Sequence, residues 1–526
     1  MAPLTSREKR WLLAFAVILI ILTTLPYAAA FEFAGDEWAF SGFLIGVEDG
    51  NSYVAKMLRG NQGDWLFKTP YTTIEQPGVL VFLPYLILGK LAAGEALHLQ
   101  LVSLFHLFRA VAIGVYVLGI YRFAAAYLES YAWRRWAVLL AAAGSGIGWI
   151  IFPWVGLSAW PLLPLSFISP ETFGFLGALA VPHHAMARGL MLLSLLWIFR
   201  DISAGSYSWK SPVLVLLTFL FNPLAGVSMV LIVSIFHLAH VGALLGQKSL
   251  RSGLEAIKAS LWGFSLSIPY VVYLAFAYHR QAFLRGWAEQ NLILSPHAGY
   301  YFLAYGVLII PAFFGLRRLL EVGNLKSLLL SAWLVSLPFL PYLPVGVQRR
   351  LPEAGWVALV VAAALGLERM SSRIHARTIA AGLMVTGLVS PALILWGAWQ
   401  TALNPAWPAF VPAEIEAAFD VISRRAKPGD TLIADYNVSN AAPAWAPVQV
   451  PIGHGPESVG GSELRVQVNQ FLKAEPAEAR AAFLREKGAD WVLLESPANP
   501  SLDTDGPWQE IDTGSDVRLY QMVLDP

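Results

Sequence analysis

Adjacent carboxylates open a short amphipathic stretch at Glu48-Asp49, which continues through Tyr53, Ala55, Met57 and Leu58. A carboxylate beside a surface-lying helix is suited to take or orient the proton of a hydroxyl group. An earlier acidic pair, Asp36-Glu37, competes for that role. Arg349-Arg350, between Gln348 and Leu351, offers two planar guanidinium groups whose geometry matches phosphate oxygens. Pro182-His183-His184 begins an apolar run, with Glu171 shortly before it. Neighbouring histidines on a helix diverge by about 100° and do not easily share one metal ion. A divalent metal would need carboxylates such as Glu171 or Asp49, and no metal or other cofactor is assigned. Cysteine is absent, which removes thiolate nucleophiles and thiolate-ligated metals.

The elements that must hold these groups are membrane elements. Of 526 residues, 56% are hydrophobic and 13% charged, against roughly 25% charged in soluble domains. Apolar runs such as Trp11 to Ala30 and Ile379 to Trp399 are long enough to cross a hydrocarbon core of about 30 Å. The spacing predicts about eleven transmembrane helices. They are Trp11–Phe31, Leu104–Arg122, Trp136–Phe152, His184–Phe199, Pro212–Phe221, Pro223–Leu245, Leu261–Tyr278, Tyr301–Leu316, Leu328–Leu343, Ala354–Leu367 and Ile379–Trp399. Asn222-Pro223 breaks one long apolar stretch into two unequal helices. Pro77 to Ala93, interrupted by Pro84, Gly89 and Lys90, reads as a juxtamembrane helix. If it does not cross, the basic loops around Arg122, Arg134, Arg200, Lys248, Arg317 and Arg369 all face the cytosol, as the positive-inside rule requires. The N-terminus is then cytoplasmic and the C-terminus outside, in an inner or plasma membrane. Ala28-Ala29-Ala30 also resembles a signal-peptide cleavage site.

Residues 1–403 therefore read as a transmembrane domain with a first external loop at 32–103, and 404–526 as a small extracytoplasmic α/β domain. Charge supports the division: Thr401 to Pro526 holds 9 basic and 18 acidic residues, the remainder 27 and 17. Within the tail, Thr431–Tyr436, Val448–Ile452 and Trp491–Glu495 read as strands, and Pro476–Lys487 as a helix. On this topology Asp49, Arg109, Glu171, His183, His184, His279, Arg280, Arg285, Glu289, His297, Arg349 and Arg350 all lie toward the external side. Trp149, Trp160 and Trp287 read as an interfacial aromatic belt. Basic residues scattered at the ends of apolar runs argue against nucleic acid as a partner.

The first loop, GVEDGNSYVAKMLRGNQGDWLF followed by the Pro77 helix, resembles that of the GT-C class of membrane glycosyltransferases. The resemblance implies a polyprenyl-phosphate sugar donor, an acceptor on the external face, inversion at the anomeric carbon, and membrane lipids as surroundings. It places Asp49 at the active site as general base, with Glu48 beside it and Tyr53 and Ala55 following. Arg109 looks like the class's arginine near the outer start of the next span, and would join Arg349 and Arg350 on the donor phosphate. Pro182-His183-His184, Gln348-Arg349-Arg350-Leu351 and Gly453-His454-Gly455 are similar to segments of bacterial members, so His183, His184, Glu171 and Tyr53 are expected on the substrate side. The alternative readings are a transporter or lipid flippase, and a non-catalytic scaffold with an external binding domain. Transporters usually carry polar groups at mid-membrane between repeated halves, and neither feature is evident here.

This topology predicts that cysteines introduced at Ser130, Gly205 and Ser252 stay protected from an impermeant thiol reagent in intact cells. Cysteines at Gly286 and Ser501 are expected to label. The cysteine-free chain is its own background, and the reverse pattern would overturn the sidedness.

Overall fold

The structure, a computed structural model, describes residues 3–155, 163–245, 250–473, 477–495, 499–502 and 507–523. Trp160, Lys248 and Pro476 lie outside the described residues. The chain divides into two compact units. One comprises Met1–Thr24, Phe108–Tyr273 and Leu292–Gly397; the other comprises Leu25–Leu107, Leu274–Asn291 and Ala398–Pro526. The C-terminal residues thus share a unit with the first loop.

Among the described residues seven helices are long and apolar enough to cross a membrane, or eight if one bent pair counts as a span. This is fewer than the eleven expected, for four identifiable reasons. Trp136–Phe152 does not form one helix: Tyr131–Ala143 stops at Gly144, where Ser145 N–H donates to Gly387 O at 2.8 Å. A Cβ on Gly146 would lie 1.8 Å from Ala304 O, so the chain there must be glycine and packs backbone against backbone. Lys210–Phe221 has only 12 residues before Asn222, about 18 Å at 1.5 Å per residue. Pro182–Ala204 is long enough but carries His183, His184, Arg188, Arg200 and Asp201. The expected span Leu261–Tyr278 is broken, with Arg251–Phe264 and Ile268–Arg280 meeting at 65°. Pro269, in the first turn of the second helix, cannot donate the hydrogen bond that would continue the first.

The sheet unit is built on a five-stranded sheet of order β4-β3-β5-β7-β6. The strands are β3 Asp430–Ile433, β4 Val448–Gln449, β5 Trp491–Leu494, β6 Trp508–Ile511 and β7 Arg518–Met522. Strands β3, β4 and β5 are parallel, and β7 runs antiparallel to both β5 and β6. Leu432, Trp491 and Leu493 pack into one core, while Ile433, Val492 and Leu494 pack into a second on the opposite face. Burial on both faces explains why these strands read as unbroken apolar runs. Tyr436, expected in a strand, instead begins the helix Tyr436–Trp445, because Asp435 caps it by accepting from Val438 N–H at 2.9 Å. Strands β1 (Trp38–Phe40) and β2 (Phe410–Pro412) pair as an antiparallel ribbon.

The amphipathic stretch forms the helix Val47–Asn61, and the Pro77 segment contributes only the seven-residue helix Leu83–Gly89. Seven residues span about 10 Å, too little to cross a bilayer. The two helices meet through glycines: a Cβ on Gly89 would lie 1.7 Å from Met57 O, and one on Gly60 would lie 2.0 Å from Leu86 O. Both obstacles are backbone and cannot rotate away. Gly89→Ala is therefore expected to destabilise the protein by about 1 to 3 kcal/mol, read as a lower thermal unfolding midpoint. Gly114→Ala, where a Cβ meets nothing within 4 Å, is expected to leave the midpoint unchanged or raised.

Candidate active site

Glu48 and Asp49 occupy the first turn of Val47–Asn61, where negative charge is favoured at the positive end of the helix. Beyond its first turn the helix is buried nearly all round. Asn51, Ser52, Val54, Ala55, Lys56, Met57 and Leu58 are buried, whereas the side chain of Asp49 is 60% exposed. Asp49 Oδ1 lies 3.1 Å from Nε2 of His454, whose side chain is 5% exposed. Beneath the imidazole, Nδ1 is 3.8 Å from Glu457 Oε1, and Glu457 forms a buried ion pair with Lys56 Nζ at 2.6 Å. Ser52 Oγ donates to Glu457 Oε1 at 2.8 Å, and Thr69 Oγ1 donates to Oε2. The result is a row of acid, imidazole, acid and ammonium that runs from an exposed carboxylate into the interior, with an electrostatic contact rather than a hydrogen bond between imidazole and Glu457.

Neighbouring contacts lock this stack. Asn440 Nδ2 donates to Gly453 O at 2.7 Å, and its Oδ1 accepts from Asn51 at 2.8 Å. Tyr436 donates its phenolic hydrogen to Glu48 and lies under Arg465, whose guanidinium carbon is 4.3 Å from the ring centroid. Glu48 is thereby engaged as an acceptor, while Asp49 is the carboxylate fixed by the buried base. Tyr53 stacks on Tyr85 with ring centroids 4.8 Å apart, which makes it part of an aromatic packing layer. Asp36 and Glu37 are exposed in the turn before β1 and make none of these contacts. His279, Arg280, Arg285, Glu289 and His297 are likewise exposed.

The helical unit holds a second polar cluster. His184 and Arg188 stand one turn apart on Pro182–Ala204, so both face the same way. Arg188 Nε donates to Glu353 Oε1 at 3.0 Å with both side chains wholly buried, and His184 Nδ1 lies 3.6 Å from Glu353 Oε2. Arg188 also donates to the backbone carbonyls of Pro170 and Glu171. Glu171, itself buried, pairs with Arg350 at 3.0 Å, and its carbonyl accepts from Ala354 N–H at 3.0 Å. Ala354 sits in the left-handed region at φ 54°, a strain of about 1 to 3 kcal/mol that the surrounding contacts must hold. Arg349 is half-buried beside Arg350, and His183 is half-buried with its ring 4.6 Å from that of His184. Arg109 is buried, donating to Thr23 and Thr24 at 2.8 Å each. These contacts give Arg109 a helix-tethering role that its sequence position did not reveal.

Sequence reasoning missed Lys56, Glu457, Tyr436 and Asn440 in one unit, and Arg188 and Glu353 in the other. The second pair had a legible signal: ionisable residues inside apolar helices, with His184 and Arg188 at helical spacing. The first had none, since Lys56 and Glu457 are 401 positions apart. Among the described residues no group of three or more His, Asp or Glu side chains is arranged to hold a metal ion.

The architecture is similar to that of membrane oligosaccharyltransferases. The oligosaccharyltransferase of Archaeoglobus fulgidus tethered with an acceptor peptide matches at 13% identity, over 92% of this chain and 69% of that one, with a TM-score of 0.52. Its apo form matches at 12% identity, over 93% and 70%, also with a TM-score of 0.52. ArnT from Cupriavidus metallidurans in the apo state matches at 13% identity, over 92% and 93%, with a TM-score of 0.44. At these identities the likeness is one of fold. No family model and no curated protein matches the sequence.

Burial opposes a charge on His454, but the Glu457 carboxylate and the Asp49 hydrogen bond together raise the imidazole above its ordinary 6.5. For Glu457, burial is outweighed by Lys56 and His454, which hold the carboxyl below its usual range. A raised histidine stabilises the fold fully below its unfolded value and loses that contribution as pH climbs through the folded value. The thermal midpoint of the wild type is thus expected to fall from about pH 6.5 upward. His454→Gln is expected to be less stable at acid pH and to show a flatter profile in the same unfolding measurement.

Proposed function

We propose that this chain is an integral-membrane glycosyltransferase that takes a sugar from a polyprenyl phosphate and passes it, with inversion, to an external hydroxyl acceptor. The observation that carries the reading is the exposed Asp49 carboxylate held 3.1 Å from a buried imidazole. It is set on a fold similar to that of an oligosaccharyltransferase whose structure contains an acceptor peptide.

In the proposed step the acceptor oxygen attacks the anomeric carbon and its proton passes to Asp49. The bond between that carbon and the phosphate oxygen breaks, and its electron pair leaves with the phosphate. His454 is a positioning residue: its Nε2 fixes one carboxylate oxygen and so orients the other, while Glu457 and Lys56 hold the imidazole in place. Charge building on the departing phosphate requires cations. From the sequence, Arg349 and Arg350 are the candidates for that role, since guanidinium groups match phosphate oxygens in bidentate geometry; within the helical unit Glu171 pairs with Arg350 at 3.0 Å.

The test is transfer by purified protein from a panel of radiolabelled polyprenyl-phosphate sugars. Asp49→Asn is nearly isosteric and cannot accept the proton, so transfer is expected to fall by about 10² to 10⁴ while donor binding persists. Asp36→Asn, Glu37→Gln and Glu48→Gln are the comparisons in the same loop and are expected to lose far less. Full turnover in Asp49→Asn with loss in Asp36→Asn or Glu37→Gln would move the base to the earlier pair. Absence of transfer from every donor would overturn the enzymatic reading.

A further inference from the structure

The helical unit contains a cavity of about 690 Å³ at a place where five helices end or begin. Its walls come from the start of Ser6–Phe33, the last turns of Leu97–Tyr127 and Pro182–Ala204, and the first turns of Tyr131–Ala143 and Leu325–Ser336. Four cations line it, Arg122, Arg134, Arg200 and Lys326, and the one acid among the described lining residues is Glu8. That carboxylate is already engaged: it accepts from Thr5 N–H at 2.8 Å, from Tyr121, and from Arg134 at 3.0 Å. The cavity therefore keeps an excess of positive charge. Its deeper wall is apolar, formed by Leu196, Phe199 and Leu329.

Charge and apolar surface in one cavity at the ends of spanning helices select a particular ligand. A free phosphate would satisfy the cations but leave the leucine and phenylalanine wall wet. A neutral lipid would fill the wall but bring no negative charge to a lining of four cations and one acid. Basic pockets between transmembrane helices bind anionic lipid headgroups for this reason, and the volume lies within the range of ordinary ligand sites. We infer that this cavity is a binding site for an anionic glycerophospholipid. The phosphodiester lies among Arg122, Arg200 and Lys326, and the start of an acyl chain lies against Leu196, Phe199 and Leu329. Arg134, tied to Glu8, forms the fixed side of the site. The lipid would pin the N-terminal helix to the ends of four others.

The experiment titrates full-length protein in neutral detergent with phosphatidylglycerol, phosphatidylcholine or inorganic phosphate, reading thermal midpoint and bound lipid by native mass spectrometry. Phosphatidylglycerol is expected to raise the midpoint and remain bound one to one, while the other two do neither. Each neutralised cation is expected to weaken phosphatidylglycerol about fivefold, so Arg122→Gln/Arg200→Gln/Lys326→Gln together cost about a hundredfold. Arg317→Gln/Arg318→Gln, at a basic patch paired with Glu321, is expected to keep wild-type binding. Should the triple variant fail to fold, Arg200→Gln/Lys326→Gln alters only two exposed side chains and is expected to lose about twenty-five-fold. Equal binding of phosphatidylglycerol by wild type and variants would overturn the site. So would equal stabilisation by phosphatidylcholine, or full stabilisation by inorganic phosphate alone.

Discussion

A lysine ammonium and a glutamate carboxylate buried together, Lys56 and Glu457 at 2.6 Å, are the constraint around which the sheet-bearing unit is arranged. Either charge alone in that interior would cost several kcal/mol. The pair is tolerated because Ser52 and Thr69 supply further hydrogen bonds to the carboxylate. Because its two members come from Val47–Asn61 and from a turn 401 positions later, the pair couples the first loop to the tail. His454 is placed by that turn, and Asp49 by the same helix about two turns before Lys56. The separation between a buried imidazole and an exposed carboxylate is thus a consequence of the ion pair below them.

The helical unit solves a similar problem with different parts. Glu353 is wholly buried and answered by Arg188 and His184 from one face of one helix. The backbone contributes as well: Arg188 is satisfied partly by the carbonyls of Pro170 and Glu171, and Ala354 is held in a left-handed conformation by Glu171 O. These contacts explain why the segment between Arg350 and Gly355 is irregular rather than helical. Non-helical backbone in an apolar setting persists only where protein groups satisfy it.

Glycine packing accounts for several features that hydropathy cannot reach. Gly60 and Gly89 let two short helices touch backbone to backbone, and Gly146 does the same against Ala304. At each place the apolar count alone would have allowed a longer or straighter helix. Close approach, which removes the room for any Cβ, decided otherwise.

Hydrophobic run length and charge scarcity determined by themselves that this is a multi-span membrane chain, because those properties are local and additive along the sequence. The same is true of the amphipathic helix bearing Glu48 and Asp49, and of the strands at 430 and 491, whose apolar runs reflect burial on both faces. Tertiary structure alone decided that His454 rather than another histidine faces Asp49, that Arg109 is tied to Thr23 and Thr24, and that Arg350 is answered by Glu171. It also decided that two expected spans are interrupted. These outcomes depend on which side chains meet across tens to hundreds of residues, and on the high cost of burying a charge or a polar backbone group without a partner, information that no single stretch of sequence contains.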